Sequence, residues 1–322
     1  MNILISSAGR RVSLVRAFQK ELQQVSPEAK VYASDANPIL SGACHVAHGF
    51  FKVPLLSHPD YFEKLIEACT ARNISLLIPT IDTELEMLAK NRQLLEQNGI
   101  TPLVASENFV GKCRDKREIH KFFESHNVAV AKEYDKNNFE LPLFIKPIDG
   151  SRSVDTYLIR EEKELTDYHF NNPKLMFLEY LDHDLYDEFT CDLYYGKNGV
   201  LKCIVPRKRI EVRDGEVYKA LTVKNFLVEY IKKHLGKIEG AVGCLTAQFF
   251  KHRSDEQVYA IEINPRFGGG YPLSYLAGAN YPKWIIQEYI LEEAIDEKFD
   301  CWESDLLMIR YDDEILVHGY KG

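Results

Sequence analysis

The chain has 322 residues, 45% hydrophobic and 27% charged, with 40 Lys and Arg against 48 Asp and Glu for a formal charge of −8. That length holds two or three compact units with a well-buried core, and the composition argues against long disorder. The net negative charge disfavours nonspecific binding to nucleic acid or to an anionic membrane surface, and no apolar run approaches the ~18 residues of a membrane-spanning helix.

The opening MNILISSAGRR carries its arginines after the apolar run, which is not the order of a secretory signal. Seven cysteines lie far apart, with no C-x-x-C pair, and most sit in apolar stretches; they read as reduced thiols of a cytoplasmic protein. Then NILIS is a strand, and RVSLVRAFQKELQ a helix with Val12, Val15, Ala17, Phe18 and Leu22 broadly on one face. KVYAS and GFFKVP are strands, PDYFEKLIEACTARN a helix, and SLLIP a strand. DTELEMLAKNRQLLEQNG is a helix opened by Asp82 and closed by Gly99, and ITPLVAS is the last strand of the series. Alternating apolar strands and helices predict a parallel sheet covered on both faces, a doubly wound α/β domain over residues 1–106.

Beyond it the pattern changes to α+β. SENFVGKC and DKREIHKFFESHN are helical, and LPLFIKP, VDTYLIR and MFLEYL are strands, with a helix near EEKELTDYHF. This predicts a small subdomain over 107–180. From 181 to 322 the sequence predicts antiparallel strands in EFTCDLYYG, GVLKCIVPRKRIEV and EVYKALTV, and a helix from about 223 to 235. The strand pair GCLTAQFFK and QVYAIEIN follows, then the helix PKWIIQEYILEEAI and one or two closing strands.

Three stretches gather polar groups where core strands have no use for them. In AIEINPRFGGG, Glu262, Asn264 and Arg266 recur at even spacing. If the preceding turn, HRSDEQ, centres on Asp255, antiparallel register sets Gln248 across from Glu262, so Gln248, Glu262 and Asn264 share a face. Three oxygen donors without His or Cys suit a hard cation, magnesium best and manganese as a substitute, with Arg266 placed to clamp a phosphoryl oxygen. The alternative is a polar, solvent-facing sheet surface followed by a turn. In LFIKPIDGSRSVD, Lys146 leaves an apolar strand beside a loop with Gly150, Ser151 and Ser153. This is a phosphate clamp, or a solvated lysine at a surface turn, and not a Walker A loop, because the lysine precedes the loop. In LEYLDHDLYDEF, Glu179 ends one strand and Glu188 starts the next, positions that suit adenine and ribose contacts or simple solvation.

The order of DKREIHKFF, FIKPIDGSRS, LEYLDHDLYDEFTCD, PRKRIE, AQFF and IEINPRFGGGYPLSYLAG over residues 110 to 290 resembles the ATP-grasp superfamily, in particular single-module relatives of the carbamoyl-phosphate synthase large subunit. SDANP and the early strands resemble its N-terminal pre-ATP-grasp domain. The resemblance implies ATP held between two α+β subdomains, and an enzyme that activates a carboxylate as an acyl phosphate and couples it to an amine. It implies Lys116 and Lys146 on phosphates or adenine, Ser151 and Ser153 in the phosphate loop, Glu179 and Leu181 bordering adenine, and Glu188 on ribose. Gln248, Glu262 and Asn264 become magnesium ligands, Arg266 the group that stabilises the transferred phosphoryl, and Arg207 or Arg209 a substrate or phosphate contact. A homodimer fits the same resemblance. Arg152 stands where the family's loop commonly has glycine, which puts tight closure of that loop in doubt. Carbamoyl-phosphate synthesis itself is not expected of one module without a glutaminase motif.

Two other readings differ in class. A nucleotide-binding module without catalysis would keep the same pockets. An NAD-dependent oxidoreductase would use Gly9 between the first strand and helix, and Asp35 at the end of the second strand, but G-x-G-x-x-G is absent. Arg10, Arg11 and Asp35 then remain for the acceptor substrate.

Overall fold

The computed structural model describes residues 1–150, 154–213 and 216–320. The N-terminal domain is a five-stranded parallel sheet of β1 (Asn2–Ser6), β2 (Val31–Asp35), β3 (Gly49–Lys52), β4 (Ile74–Pro79) and β5 (Thr101–Pro102), in the order β3-β2-β1-β4-β5. Ile3, Leu4, Ile5, Leu76, Leu77 and Ile78 are almost wholly buried whichever face they point to, as a sheet covered on both sides requires. The covering helices are α1 (Val12–Val25), α2 (Gly42–Val46), α3 (Tyr61–Thr70), α4 (Asp82–Lys90) and α5 (Arg92–Gln97). The single helix expected from Asp82 to Gly99 is two, because Asn91 leaves helical geometry and its side-chain amide donates to the Met87 carbonyl (2.9 Å). Strand order reverses between β1 and β4, so a crevice opens at their carboxyl ends.

Next come α6 (Glu107–Arg114), α7 (Lys116–Ser125) and β6 (Ala129–Val130). Grouped by sequence with the small subdomain, they give Phe109, Val110, Ile119 and Phe123 to the main core, which is continuous with that of the N-terminal domain. The small sheet consists of β7 (Glu133–Tyr134), β8 (Leu143–Pro147), β9 (Tyr157–Ile159) and β10 (Leu175–Glu179), all antiparallel in the order β7-β10-β8-β9, with α8 (Asp167–Asn171) beside it. It has its own core of Leu143, Ile145, Ile159, Leu175 and Phe177.

The large sheet contains β11 (Tyr186–Tyr195), β12 (Leu201–Arg213), β13 (Glu216–Thr222), β14 (Gly243–His252), β15 (Val258–Asn264) and β16 (Leu307–Ile309), in the order β16-β13-β12-β11-β14-β15-β6. All its pairings are antiparallel except β15 with β6. Helices α9 (Leu227–Leu235), α10 (Tyr271–Leu276) and α11 (Tyr281–Tyr289) complete it. Under the glycine-rich segment after β15 lies a fully buried ion pair: Arg207 donates to both Asp192 carboxylate oxygens (2.7 and 3.0 Å), and Ser274 donates to the same carboxylate (2.6 Å). A Cβ on Gly270 would stand 2.1 Å from Arg207 Nη1, so glycine is what lets the loop cross this guanidinium.

Removing one partner of a buried pair leaves the other charge uncompensated. Arg207→Met is expected to lower the unfolding free energy by about 3–5 kcal/mol, read as a lower urea midpoint. The double variant Asp192→Leu/Arg207→Met should lose less than the single one.

Candidate nucleotide and metal site

The site is built on one face of the large sheet. In antiparallel pairing, residues directly opposite each other project to the same side. Thr222, Arg207, Thr190, Gln248 and Glu262 therefore form one row across five strands, and Asp192, Thr246 and Asn264 form the next. The pairing of Gln248 with Glu262 agrees with the sequence expectation, but by another route. The turn centres between Ser254 and Asp255, not on Asp255, because His252 N donates to the Gln257 carbonyl (2.9 Å) and Asp255 Oδ1 accepts from Gln257 N (2.9 Å). Lys251 then faces Val258 and Phe249 faces Ala260; the bulged residue Ile261 shifts the register by one before Gln248 meets Glu262. Glu262 Oε1 accepts from Gln248 Nε2 (3.2 Å) and Asn264 Nδ2 (2.9 Å), which closes the trio around one carboxylate.

Cations gather around that trio from three parts of the chain. Lys116, the first residue of α7, has its ammonium 3.7 Å from Glu262 Oε2 and donates to the Gly150 carbonyl (2.7 Å). Asp115 starts this helix by accepting from Arg117 N (2.8 Å) and Glu118 N (3.3 Å), which fixes where Lys116 emerges. Lys146, opposite Met176 in the small sheet, is only 8% exposed, and no hydrogen bond or ion pair holds its ammonium among the described residues. Burial pushes its pKa down to about 8; Glu262 acts against the shift and Lys116 with it. Arg266 lies past the end of β15, donates to the Phe267 carbonyl (3.1 Å) and to Asn264 Oδ1 (3.4 Å), and forms an ion pair with Asp82 of the N-terminal domain. His120 of α7 is buried near this corner. Burial first, then the charge of Lys146, pushes its pKa down to about 4, so the ring is neutral.

The remaining expected positions divide. Glu179 ends β10 with its carboxylate accepting from Lys132 N (2.8 Å), and its own N–H donates to the Lys132 carbonyl (2.9 Å), so it ties down the start of β7. Leu181 is buried in the connection from the small sheet to the large one. Glu188 forms an ion pair with Arg209 across β11 and β12. Arg207 is enclosed with Asp192 and offers nothing to a ligand at the surface. Ser151, Arg152 and Ser153 lie outside the described residues. Sequence reasoning missed Asp82 as more than a helix start, and it missed Glu84, which is fully buried and accepts from Tyr61 OH (2.7 Å) and Ser7 Oγ (3.0 Å). Burial pushes the Glu84 pKa up, while the Tyr61 and serine hydroxyls pull it down. The even spacing of Asp82 and Glu84 at a helix start was the available signal.

Magnesium and nucleotide phosphates fit these residues. Glu262 is the single carboxylate of the trio, and the amides can each present oxygen by a half-turn. A lysine that is largely buried with no ion pair among the described residues, and a guanidinium whose buried Nε lacks a partner, call for an anion.

A family model described as PylC-like, N-terminal domain, matches residues 3–103, and one described as ATP-grasp in the biosynthetic pathway with Ter operon matches residues 171–306. The chain belongs to the ATP-grasp superfamily. No curated protein matches the sequence significantly. Among solved structures, this ATP-grasp chain is similar to the biotin carboxylase domain of Hydrogenobacter thermophilus 2-oxoglutarate carboxylase, solved as a dimer with MgADP, ADP and bicarbonate. The TM-score is 0.73 at 14% identity, over 95% of this chain and 73% of that one. N5-carboxyaminoimidazole synthetase from Staphylococcus aureus with ADP gives 0.69 at 17% identity, over 92% and 78%. L-amino acid ligase from Bacillus licheniformis gives 0.66 at 15% identity, over 89% and 73%. At these identities the likeness is one of fold. Among the described residues of this ATP-grasp protein, no helix is long and apolar enough to cross a membrane.

Lys146 supplies a test of the site's cost. It releases its proton near pH 8 in the folded chain and near 10.5 when unfolded. The burial penalty is therefore complete below pH 8 and fades as pH rises from 8 to 10.5. Lys146→Met is expected to stabilise the protein by about 2–3 kcal/mol at pH 7 and by much less at pH 10, measured by chemical denaturation at both.

Proposed function

We propose that the protein is an ATP-dependent ligase that activates a carboxylate as an acyl phosphate and couples it to an amine, releasing ADP and phosphate. The observation that carries this reading is the convergence of Lys116, Lys146 and Arg266 on the Gln248, Glu262 and Asn264 trio, a surplus of positive charge beside a single-carboxylate metal site. A carboxylate is a poor electrophile, and transfer of a phosphoryl group to it is catalysed mainly by positioning and charge stabilisation.

Each residue has a part in that scheme. Lys146, protonated at neutral pH, pairs with a phosphate oxygen that replaces its missing partner. Lys116 spans the edge of the phosphate loop and the metal acid, so it draws the loop toward the strand end. Magnesium bound with the nucleotide neutralises charge on the phosphates, and Gln248, Glu262 and Asn264 would hold it. Arg266 meets the negative charge that builds on the phosphoryl group in flight. Glu188 and the segment from Glu179 to Leu181 remain the expected ribose and adenine contacts. ATP would bring Glu188 a hydroxyl partner in competition with Arg209.

One detail favours this reading over a dinucleotide-binding one. Asp35, which a ribose would need, is engaged with its own loop system, accepting from Gly9 N (3.1 Å) and Asn37 N (3.0 Å). The substrates are small molecules, a carboxylic acid and an amine.

Release of ADP and phosphate is to be measured against a panel of amino acids and small carboxylic acids, with and without amines. At least one acid should stimulate release, and Glu262→Ala should lower it about 100-fold or more. Nucleotide binding with no turnover across the panel would favour a noncatalytic module, and NADH binding in place of ATP an oxidoreductase. Because the trio has one carboxylate, Mn²⁺ alone is expected to bind weakly, and at least about 10-fold more tightly with an ATP analogue present, followed by electron paramagnetic resonance.

A further inference from the structure

We propose that Asp82 is a positioning residue for Arg266: it holds the guanidinium at the strand end and links its orientation to the loop that follows β1. The inference rests on the ligase reading for its catalytic consequence, but the ordering of Arg266 can be tested without it.

The first ground is the way Arg266 is held. Its Nη1 donates to the Phe267 carbonyl (3.1 Å), its Nη2 reaches Asn264 Oδ1 at 3.4 Å, and its Nε is buried without a partner. Asp82 is the one carboxylate in an ion pair with it among the described residues, and the two side chains are 16% and 17% exposed. A pair so sheltered is only partly screened by water, so it can fix the long side chain where neutral contacts cannot.

The second ground is what else the same short segment holds. Asp82 is the first residue of α4, directly beyond β4 at the point where strand order reverses. Two residues before it, Thr80 Oγ1 donates to the Ser6 and Ser7 carbonyls (3.1 and 2.8 Å), and the Thr80 carbonyl accepts from Arg11 Nη2 (3.3 Å). Two residues after it, Glu84 accepts from Ser7 Oγ (3.0 Å). Ser7 has φ of 50°, a backbone conformation that side chains other than glycine rarely adopt, and its neighbours over-determine it. The stretch from Thr80 to Glu84 is therefore pinned at both ends to the loop after β1, and Asp82 at its middle carries that anchorage to Arg266. Phe267 strengthens it by packing edge-on against Phe18 of α1, ring centres 5.9 Å apart.

The chemical consequence follows from preorganisation. An arginine already oriented costs no ordering when charge develops on the phosphoryl group, whereas a mobile one must be ordered at each turnover. Asp82 touches neither substrate nor nucleotide in this scheme, so its loss should fall on kcat and spare nucleotide affinity.

The test is a double-mutant cycle with an independent structural readout. Asp82→Ala is expected to lower kcat for ATP turnover about 10- to 100-fold, with KM for ATP within about twofold, and Asp82→Glu should recover part of the loss. In an Arg266→Ala background, Asp82→Ala should add little. In ¹⁵N spectra of the nucleotide-free protein, the Arg266 Nε–H signal should be sharp in the wild type and broadened by exchange in Asp82→Ala; Asp82→Asn, which keeps the side chain's size, guards against simple unfolding. A full additional loss from Asp82→Ala in the Arg266→Ala background would overturn the proposal, as would an Arg266 signal unchanged in both Asp82 variants. If no acid of the panel stimulates ATP turnover by the wild type, the ligase reading fails while the spectra still decide whether Asp82 orders Arg266.

Discussion

Near its turn the β14–β15 hairpin runs in one register, and Ile261, an extra residue on β15, shifts it by one before Gln248 reaches Glu262. Without that bulge, Gln248 would face Ile261, and Glu262 and Asn264 would project to the opposite side of the sheet, since a one-residue slip reverses every side chain. The oxygen trio exists only because the hairpin is irregular at this place. Lys116 finds Glu262, and Arg266 finds Asn264, because the trio has already been brought to one face. A bulge re-aims side chains at a cost in ladder hydrogen bonding, and the position of this one, in the middle of β15 directly before Glu262, fits that use.

The cations around the trio come from different parts of the fold, one of them with a core of its own. Lys146 is carried by a small sheet with its own apolar core, Lys116 by a helix start in the main core, and Arg266 is held by an aspartate of the N-terminal domain. The site is thus a meeting place of the main core and the small sheet's separate one. The largely buried Lys146 side chain makes this corner an unfavourable feature of the folded state taken alone. Beneath it, the Asp192–Arg207 pair is fully enclosed and satisfies a different need, a rigid floor for the loop from Phe267 to Gly270.

The likeness to biotin carboxylase, N5-carboxyaminoimidazole synthetase and L-amino acid ligase covers nearly the whole chain at low identity. Such likeness fixes the scaffold and leaves the acceptor open, because chemistry on a shared fold is set by the side chains at each site. In this chain the crevice at the carboxyl ends of β1 and β4 is lined by loops tied to one another through Thr80, Asp35 and Glu84.

Sequence alone determined the elements whose signal is local. Apolar runs between helical patterns specified the parallel sheet, and even spacing specified that Glu262 and Asn264 share a face. It did not determine the break at Asn91, where a side-chain amide competes with the helix, nor the bulge at Ile261, since neither changes the hydrophobic pattern that carries the prediction. Only the tertiary structure decided that Arg207 is enclosed while Arg209 meets Glu188, and that Asp82 reaches Arg266 across 184 positions of chain. The reason is physical: periodicity fixes which way a side chain points from its own element, but its partner is fixed by how separate elements pack, and no local pattern records that.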